Sequence, residues 1–185
     1  MRRRMDLQLL RTDDPRRALR HELQRFFDHR GLTAWIGSDV MIVQGDVALH
    51  ADVAVTIGAD PRVRRVWITE SEGRSIDVAF RLVNGQSRLA ALTSAARHVE
   101  LGAVEGFAFH PREALLWGFH RPHLLVDAMP SGARGLRSRA LGAELVPTTD
   151  RLRIVQAGLD LSTSVERLSR AIDRAVESSR ARAIA

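Results

Sequence analysis

Two acidic residues stand inside apolar runs of the sequence and are the first candidates for chemistry. Asp52 lies in the run HADVAVTIG and Asp77 lies in SIDVAFRLV. An ionised carboxylate among Val, Ala and Phe is costly to bury unless it is paired or binds a metal ion. For either residue taken singly, the cap of a turn or a solvent-facing position is the simpler explanation.

The histidines and tryptophans give weaker signals. His120 and His123 flank a proline, which prevents them from sharing one helix face, and His110 precedes another proline. No spacing matches a metal-ligand framework, so most histidines are expected at surface or turn positions. Trp67 and Trp117 lie in strand-like runs and are expected in the core or at a sheet edge, with base stacking as the alternative.

All 28 basic residues of this 185-residue chain are arginines, against 22 acidic residues, and the formal net charge is +6. The absence of lysine excludes a Schiff base, a phosphate-loop lysine and a lysine general base. The absence of cysteine excludes a thiolate nucleophile, a disulfide framework and a Cys-based zinc site. A cytosolic location is expected, and no run approaches the roughly 20 apolar residues of a membrane span.

Two arginine clusters are candidates for contacts with nucleic-acid phosphates, because guanidinium groups suit that geometry. The alternative is an ordinary solvated loop, since the acids Glu70, Glu72 and Glu113 are spread through the same region. The candidates are Arg62, Arg64 and Arg65 in one loop, and Arg134, Arg137 and Arg139 in the loop PSGARGLRSR.

The order of predicted elements indicates an α/β domain with a mixed sheet flanked by helices. A first helix follows the cap Asp14-Pro15 and ends at Gly31, and a second runs from about Ser87 to Leu101. The pattern of apolar and turn-forming residues over 141–155 predicts a hairpin with its turn at 148–150. Strands are predicted near 33–36, 40–44, 51–57, 65–69, 76–83, 106–109 and 115–119, and HLLVDAM after Pro122 is also strand-like.

Three segments are expected along the chain: a basic segment over 1–13, the α/β domain over 14–160, and an amphipathic helix over 161–185. The capping box Thr163-Ser164-Val165-Glu166 begins that helix. Its apolar residues, Val165, Leu168, Ile172 and Val176, lie opposite Arg167, Arg170 and Arg174. The helix could pack on its own domain or on a neighbouring subunit.

Four segments in this order resemble the Uma2 family of restriction-endonuclease-like proteins: ALHADVAVTIGADPRVRRVW, EGRSIDVAFRLV, HVELGAVEGFAFHPREALLWGF and SRALGAELVPTTDRLRI. The resemblance implies the PD-(D/E)XK nuclease fold, a mixed sheet flanked by helices. It also implies that Asp52 stands where the family has its first metal-binding acid, with Ala51 in place of the usual proline.

The chain departs from the family pattern at the other positions of the site. Asp77 fits an early acid of the next strand, but Arg81 stands where the family has its metal-binding glutamate. Ala90 and Ser94 stand where the following helix usually has an acid and a lysine. Two substitutes remain as candidates: Glu22 of the first helix for the missing acid and Gln86 for the lysine.

The leading hypothesis is therefore a catalytically degenerate nuclease fold that acts by binding, in which Arg81 neutralises Asp52 or Asp77 by a bidentate pair. The expected partners are nucleic acid, a second copy of the chain or a larger protein assembly, with no membrane and no cofactor. One alternative is an active endonuclease that uses Mg²⁺ with Asp52 and either Asp77 or Glu22. Another is a structural or accessory subunit with no nucleic-acid role.

Overall fold

The fold was analysed in a computed structural model that describes residues 14–84, 87–120, 127–129, 135–149 and 151–156. The chain divides into two compact units, Met1–Val155 and Gln156–Ala185. The predicted helix over 161–185 and the basic segment over 1–13 lie outside the described residues.

Three helices and ten strands make up the described part of the chain. The helices are α1 (Pro15–His29), α2 (Thr69–Glu72) and α3 (Arg88–Glu100). The strands are β1 (Ala34–Gln44), β2 (Val47–Ile57), β3 (Val66–Ile68), β4 (Val78–Leu82), β5 (Glu105–His110), β6 (Leu115–His120), β7 (Asp127–Met129), β8 (Leu136–Ser138), β9 (Ala143–Thr148) and β10 (Arg151–Gln156). None of these helices is long and apolar enough to cross a membrane.

The strands form two sheets. The large sheet has the order β3-β1-β2-β4-β5-β6-β7, and the small sheet has the order β10-β9-β8. In the large sheet β1 pairs parallel with β3, β4 pairs parallel with β5, and the other neighbours are antiparallel. The parallel pair β4–β5 is joined through α3, as a parallel connection requires. This is the predicted mixed α/β sheet with a C-terminal hairpin.

The two faces of the large sheet are covered by different elements. On one face α1 and the small sheet share an apolar cluster with Phe80, Phe107 and Leu116. On the other face α3 packs against Ala108 and Trp117. Alternation along β5 explains the division, because successive strand residues point to opposite faces. The helix α1 contributes four buried residues to the first cluster: Leu19, Leu23, Phe26 and Phe27.

The element boundaries follow the predicted caps closely. Asp14 accepts a hydrogen bond from the Arg16 N–H, and Ser87 accepts one from the Ala90 N–H, so both helices begin at the predicted residues. Trp67 and Trp117 are buried, as predicted for core residues.

Two predictions about strands were wrong. Residues 34–44 form one continuous strand, whereas two short strands were predicted, because Ser38-Asp39 interrupts the apolar pattern without ending the pairing with β2. Leu136–Ser138 form strand β8, although these residues were predicted to belong to a loop. The apolar Leu136 and the small Ser138 face the core. The segment is rich in Arg and Gly, so its composition gave no strand pattern.

Helix α3 lies so close to β5 that only glycine fits between them. A Cβ added to Gly106 would come within 2.2 Å of the Ala95 carbonyl oxygen. Because this neighbour is backbone, it cannot move without shifting the helix.

We predict that Gly106→Ala lowers the free energy of unfolding by about 1–3 kcal/mol, as overpacking of a closed core does. Urea unfolding measures it. Gly118→Ala is the matched comparison, because its Cβ would meet the ends of the Leu136 and Phe107 side chains, which can adjust. A Gly106→Ala variant at least as stable as Gly118→Ala would contradict this packing.

Candidate functional site

Asp52 is buried in the middle of β2, and arginine side chains contact both of its carboxylate oxygens. Oδ1 lies 3.1 Å from Nε of Arg16, which reaches it from α1. Oδ2 lies 3.2 Å from Nη1 of Arg81 and accepts a hydrogen bond from the Leu82 N–H at 2.8 Å. The carboxylate is 5% exposed. Its charge is therefore balanced within the protein by two guanidinium groups.

The position of Arg81 follows from the strand register. Val53 pairs with Phe80 across the antiparallel β2–β4 ladder, so the next residues along, Asp52 and Arg81, are also neighbours. Directly opposite residues in such a ladder extend their side chains to the same face. The predicted neutralisation of Asp52 by Arg81 is thus present in the fold, through the contact between Nη1 and Oδ2.

Three further contacts close these residues into a ring. Arg81 Nη1 contacts His50 Nδ1, and His50 Nε2 lies 2.6 Å from Asp39 Oδ1. Arg16 Nη1 then lies 3.5 Å from the same Asp39 oxygen. We call this set, Arg16, Asp39, His50, Asp52 and Arg81, the ion ring.

The protonation of His50 within the ion ring is set by its neighbours. A guanidinium group has donors and no acceptor, so Nδ1 of His50 must accept from Arg81. Nε2 then carries the hydrogen atom and donates a hydrogen bond to the Asp39 carboxylate. This hydrogen bond is the main reason that the pKa of Asp39 is lowered, and the electrostatic attraction of His50, Arg16 and Arg65 lowers it further. The ion ring balances two guanidinium groups against two carboxylates.

His98 on α3 is a buried histidine beside the ion ring. Its Nδ1 donates to the Ser94 carbonyl oxygen at 2.6 Å, and its Nε2 is buried without a hydrogen-bond partner among the described residues. Burial lowers the pKa of His98 from 6.5 to about 4, and the positive charge of Arg81 adds to this effect. The neutral imidazole is therefore part of the folded core.

Ser94 and Ala90 line a cavity between α3 and the beginning of β2. Its volume is about 420 Å³. Its walls are small or apolar, apart from the hydroxyl groups and one arginine, and no acid is among them: Leu49, Ser87, Leu89, Ala90, Thr93, Ser94 and Arg97. Ala90 and Ser94 are the positions where the family resemblance implies an acid and a lysine. The described residues that line this cavity include neither residue type.

The other candidate acids lie apart from Asp52. The Asp77 carboxylate accepts the Ile57 N–H at 2.7 Å and lies 3.2 Å from Arg74 Nη2. Ile57 is five positions from Asp52 on β2, about 16 Å along an extended strand. Asp77 therefore closes the far end of this strand, which agrees with its simpler interpretation as a capping acid.

Glu22 lies on a different side of α1 from Arg16. Its side chain is 25% exposed and pairs with Arg25, 3.8 Å away. It stands six residues after Arg16, which contacts Asp52, and this spacing places it about 240° around the helix and 9 Å along it. Gln86 lies outside the described residues. Within the described part of the chain, no group of three or more His, Asp or Glu side chains is arranged to hold a metal ion.

The two arginine clusters differ in their surroundings. Arg64 Nε lies 2.9 Å from Glu72, and its guanidinium covers the rings of Trp35 and Trp67 at 5.7 and 5.0 Å. Arg62 pairs with Glu72 and Asp60. Arg64 is largely buried, whereas Arg62, Arg65, Arg137 and Arg139 are exposed. Arg134 lies outside the described residues.

Sequence reasoning missed one buried acid, Glu105 at the start of β5. Its carboxylate accepts the Ser138 hydroxyl and, at 2.8 Å, the Arg139 N–H. Ser138 Oγ in turn accepts the Leu141 N–H. Glu105 thus fastens the small sheet to the large one. The signal was available, because Glu105 precedes an apolar run in the same way as Asp52 and Asp77 do.

Sequence reasoning also missed most of the ion ring. His50 stands two residues before Asp52, on the same strand face by alternation, and this spacing could have identified it. No local pattern singles out Arg16 or Asp39, because their contacts depend on how α1 and β1 meet. The turn prediction holds for His110, whose Nδ1 accepts the Glu113 N–H, whereas His98 is buried.

The described elements form a mixed α/β sheet flanked by helices, and a solved structure has a similar fold. It is the crystal structure of a protein from Anabaena variabilis ATCC 29413 described as a putative nuclease belonging to DUF820, with a TM-score of 0.54 and 11% identity. The match covers 69% of this chain and 74% of that one. No family profile matches the chain, and neither does any curated protein.

We predict that Asp52→Asn lowers the free energy of unfolding by about 3–5 kcal/mol, because it leaves Arg81 without its buried counter-charge. Arg16→Gln is expected to cost about 1 kcal/mol or less, since the Arg16 side chain is 40% exposed and its charge is screened. Urea unfolding of both variants checks this order. Asp46→Asn, in the exposed β1–β2 turn, is the control, and an equally small loss for Asp52→Asn would contradict the buried pair.

The stability of the protein is also expected to depend on pH through His98. Between pH 4 and 6.5 the unfolded chain binds the proton that the folded chain does not, so this contribution is complete above pH 6.5 and is lost as the pH falls towards 4. The full loss is about 3 kcal/mol. In urea unfolding across this range, His98→Leu should flatten the decline, and His21→Gln, an exposed histidine, should not. An unchanged decline in His98→Leu would contradict the assignment.

Proposed function

We propose that this chain is a nuclease-fold protein without nuclease activity, which acts by binding nucleic acid or a protein assembly. The observation that carries the proposal is the pairing of both Asp52 oxygens with guanidinium groups. The proposal relies on the Uma2 resemblance to compare this site with a nuclease centre.

The residues of this site do not fit a magnesium ion. Mg²⁺ requires nearly octahedral oxygen coordination, usually with one or two free carboxylate oxygens. The Asp52 oxygens lie 3.1 and 3.2 Å from positively charged nitrogens, which would repel a cation at the same place. No catalytic step through a metal ion is therefore assigned to these residues.

The positions of the missing groups support the same interpretation. Arg81 extends from β4 to the carboxylate that a metal ion would need, and Ser94 offers a hydroxyl group where a lysine would assist an attacking water. The ion ring supplies internally the positive charge that a metal ion would otherwise bring. The ion ring thus connects α1, β1, β2 and β4 through hydrogen bonds and ion pairs.

A binding role is supported by the basic surface. The chain carries a net charge of +6, and Arg65, Arg137 and Arg139 are exposed on it. Positive surface charge of this kind attracts nucleic acid without any need for cleavage. An acidic protein would be attracted by the same charge.

We predict that the purified protein does not cleave plasmid or linear DNA with Mg²⁺ or Mn²⁺, and that calorimetric titration with Mg²⁺ gives no more heat than with Asp52→Asn. Cleavage that needs the metal ion and disappears in Asp52→Ala would overturn the proposal and favour a magnesium-dependent endonuclease. Cleavage that persists in Asp52→Ala would identify a contaminating nuclease, because that variant lacks the first candidate ligand.

A further inference from the structure

The small sheet presents a basic face to the solvent. Along β10 the exposed Arg151 and Arg153 alternate with the buried Leu152, and along β8 the exposed Arg137 lies between the buried Leu136 and Ser138. Leu136 and Leu152 belong to the core shared with α1. Because alternate strand residues point to opposite faces, the arginines lie on the face directed away from that core.

The middle of this face carries one acid, and Gly135 lies close against it. Gly135 approaches β9 so closely that an added Cβ would come within 2.8 Å of a Val146 methyl group. Glu144, which pairs with Arg137 across β8 and β9, is exposed on the same face. The outer strands therefore carry the basic side chains, and the central strand carries Glu144 and Val146 between them.

The arginines of this face are not neutralised in the way that the other cluster is. Arg62 and Arg64 are held by Glu72. Among the described residues, no acid forms an ion pair with Arg137, Arg139, Arg151 or Arg153. Their guanidinium groups are available to an external anion, and Glu144 on the same face reduces the positive charge only in part.

The spacing of the two basic rows suits a nucleic-acid groove. The strands β8 and β10 are separated by two strand spacings, about 10 Å. The major groove of a DNA duplex is about 12 Å wide between its phosphate edges. Guanidinium groups on the two outer strands can then contact phosphates on both sides of the groove, with the central strand β9 between them.

We propose that the outer face of the small sheet, through Arg137, Arg151 and Arg153 and with the exposed Arg139 directly after β8, binds the phosphate backbone of a nucleic-acid duplex. This inference rests on the proposed non-cleaving function and specifies its partner. It adds Arg151 and Arg153, which the sequence analysis did not single out, and it removes Arg62 and Arg64 from the candidate contacts. Contacts of this kind position a protein on a duplex and carry little sequence preference.

The test is fluorescence anisotropy of a labelled 20-base-pair duplex with the full chain, at several salt concentrations. In Arg151→Gln/Arg153→Gln we expect Kd to rise about tenfold at low salt and the salt slope to fall by about 1.8, the share of two phosphate contacts. Arg20→Gln/Arg112→Gln makes the same change of net charge at exposed positions outside the small sheet, and it should bind nearly as the wild type does.

A variant of opposite sign sharpens the test. Glu144→Gln removes the acid from the middle of the face and is expected to tighten binding about threefold, whereas Glu113→Gln, an exposed acid of the β5–β6 turn, should have a smaller effect. Circular dichroism shows whether the variants keep the fold, and this is expected because all of the exchanged side chains are exposed.

The inference is overturned if both double arginine variants weaken binding equally, since net charge alone would then explain it. It is also overturned if the wild type does not bind the duplex at low salt. Neither result touches the proposed absence of nuclease activity, which the same samples test separately by incubation with Mg²⁺ and gel analysis of the duplex.

Discussion

The buried charge of Asp52 is the constraint on which the arrangement of this site depends. A carboxylate that is 5% exposed in the middle of a sheet needs counter-charge, and the protein supplies it from two directions, through Arg16 on α1 and Arg81 on β4. The contact with Arg16 connects the start of α1 to the sheet. Asp39 and His50 extend the same network to β1.

The second constraint is the attachment of the small sheet. Glu105, Ser138 and the Arg139 N–H form a buried polar link at the start of β5, and the apolar cluster shared with α1 closes around it. Because of this link, the three-stranded sheet keeps its polar face outward. The large sheet thus contains two polar networks, the ion ring at β2 and β4 and the hydrogen bonds of Glu105 at β5.

The sequence allowed the fold class to be predicted, because helix caps and apolar alternation are local signals. Asp14 and Ser87 mark helix starts by their own hydrogen bonds, and β2, β4, β5 and β6 appear as apolar runs. The fold of a DUF820 protein that shares 11% of its residues with this chain agrees with that reading. Strand β8 was missed because three residues, of which one is Arg and one is Ser, carry almost no pattern.

The site was predictable only in part, for a physical reason. Strand register connects Asp52 to Arg81, and register can be inferred once two apolar strands are aligned. The contacts of Arg16 and Asp39 depend on the angle at which a helix meets a strand, and no local pattern encodes that angle. The positive φ of Asp39, +57°, could likewise not be predicted from a local pattern, and it is visible only in the folded chain.

The closed ion ring also restricts the evolutionary paths open to this chain. An exchange of Arg81 for glutamate would place a second carboxylate beside Asp52 with a single guanidinium, that of Arg16, to balance the two. An exchange of Arg16 alone would still leave Arg81 on the carboxylate. A descendant with a working metal centre would need changes on both α1 and β4, and each intermediate would be less stable than its parent.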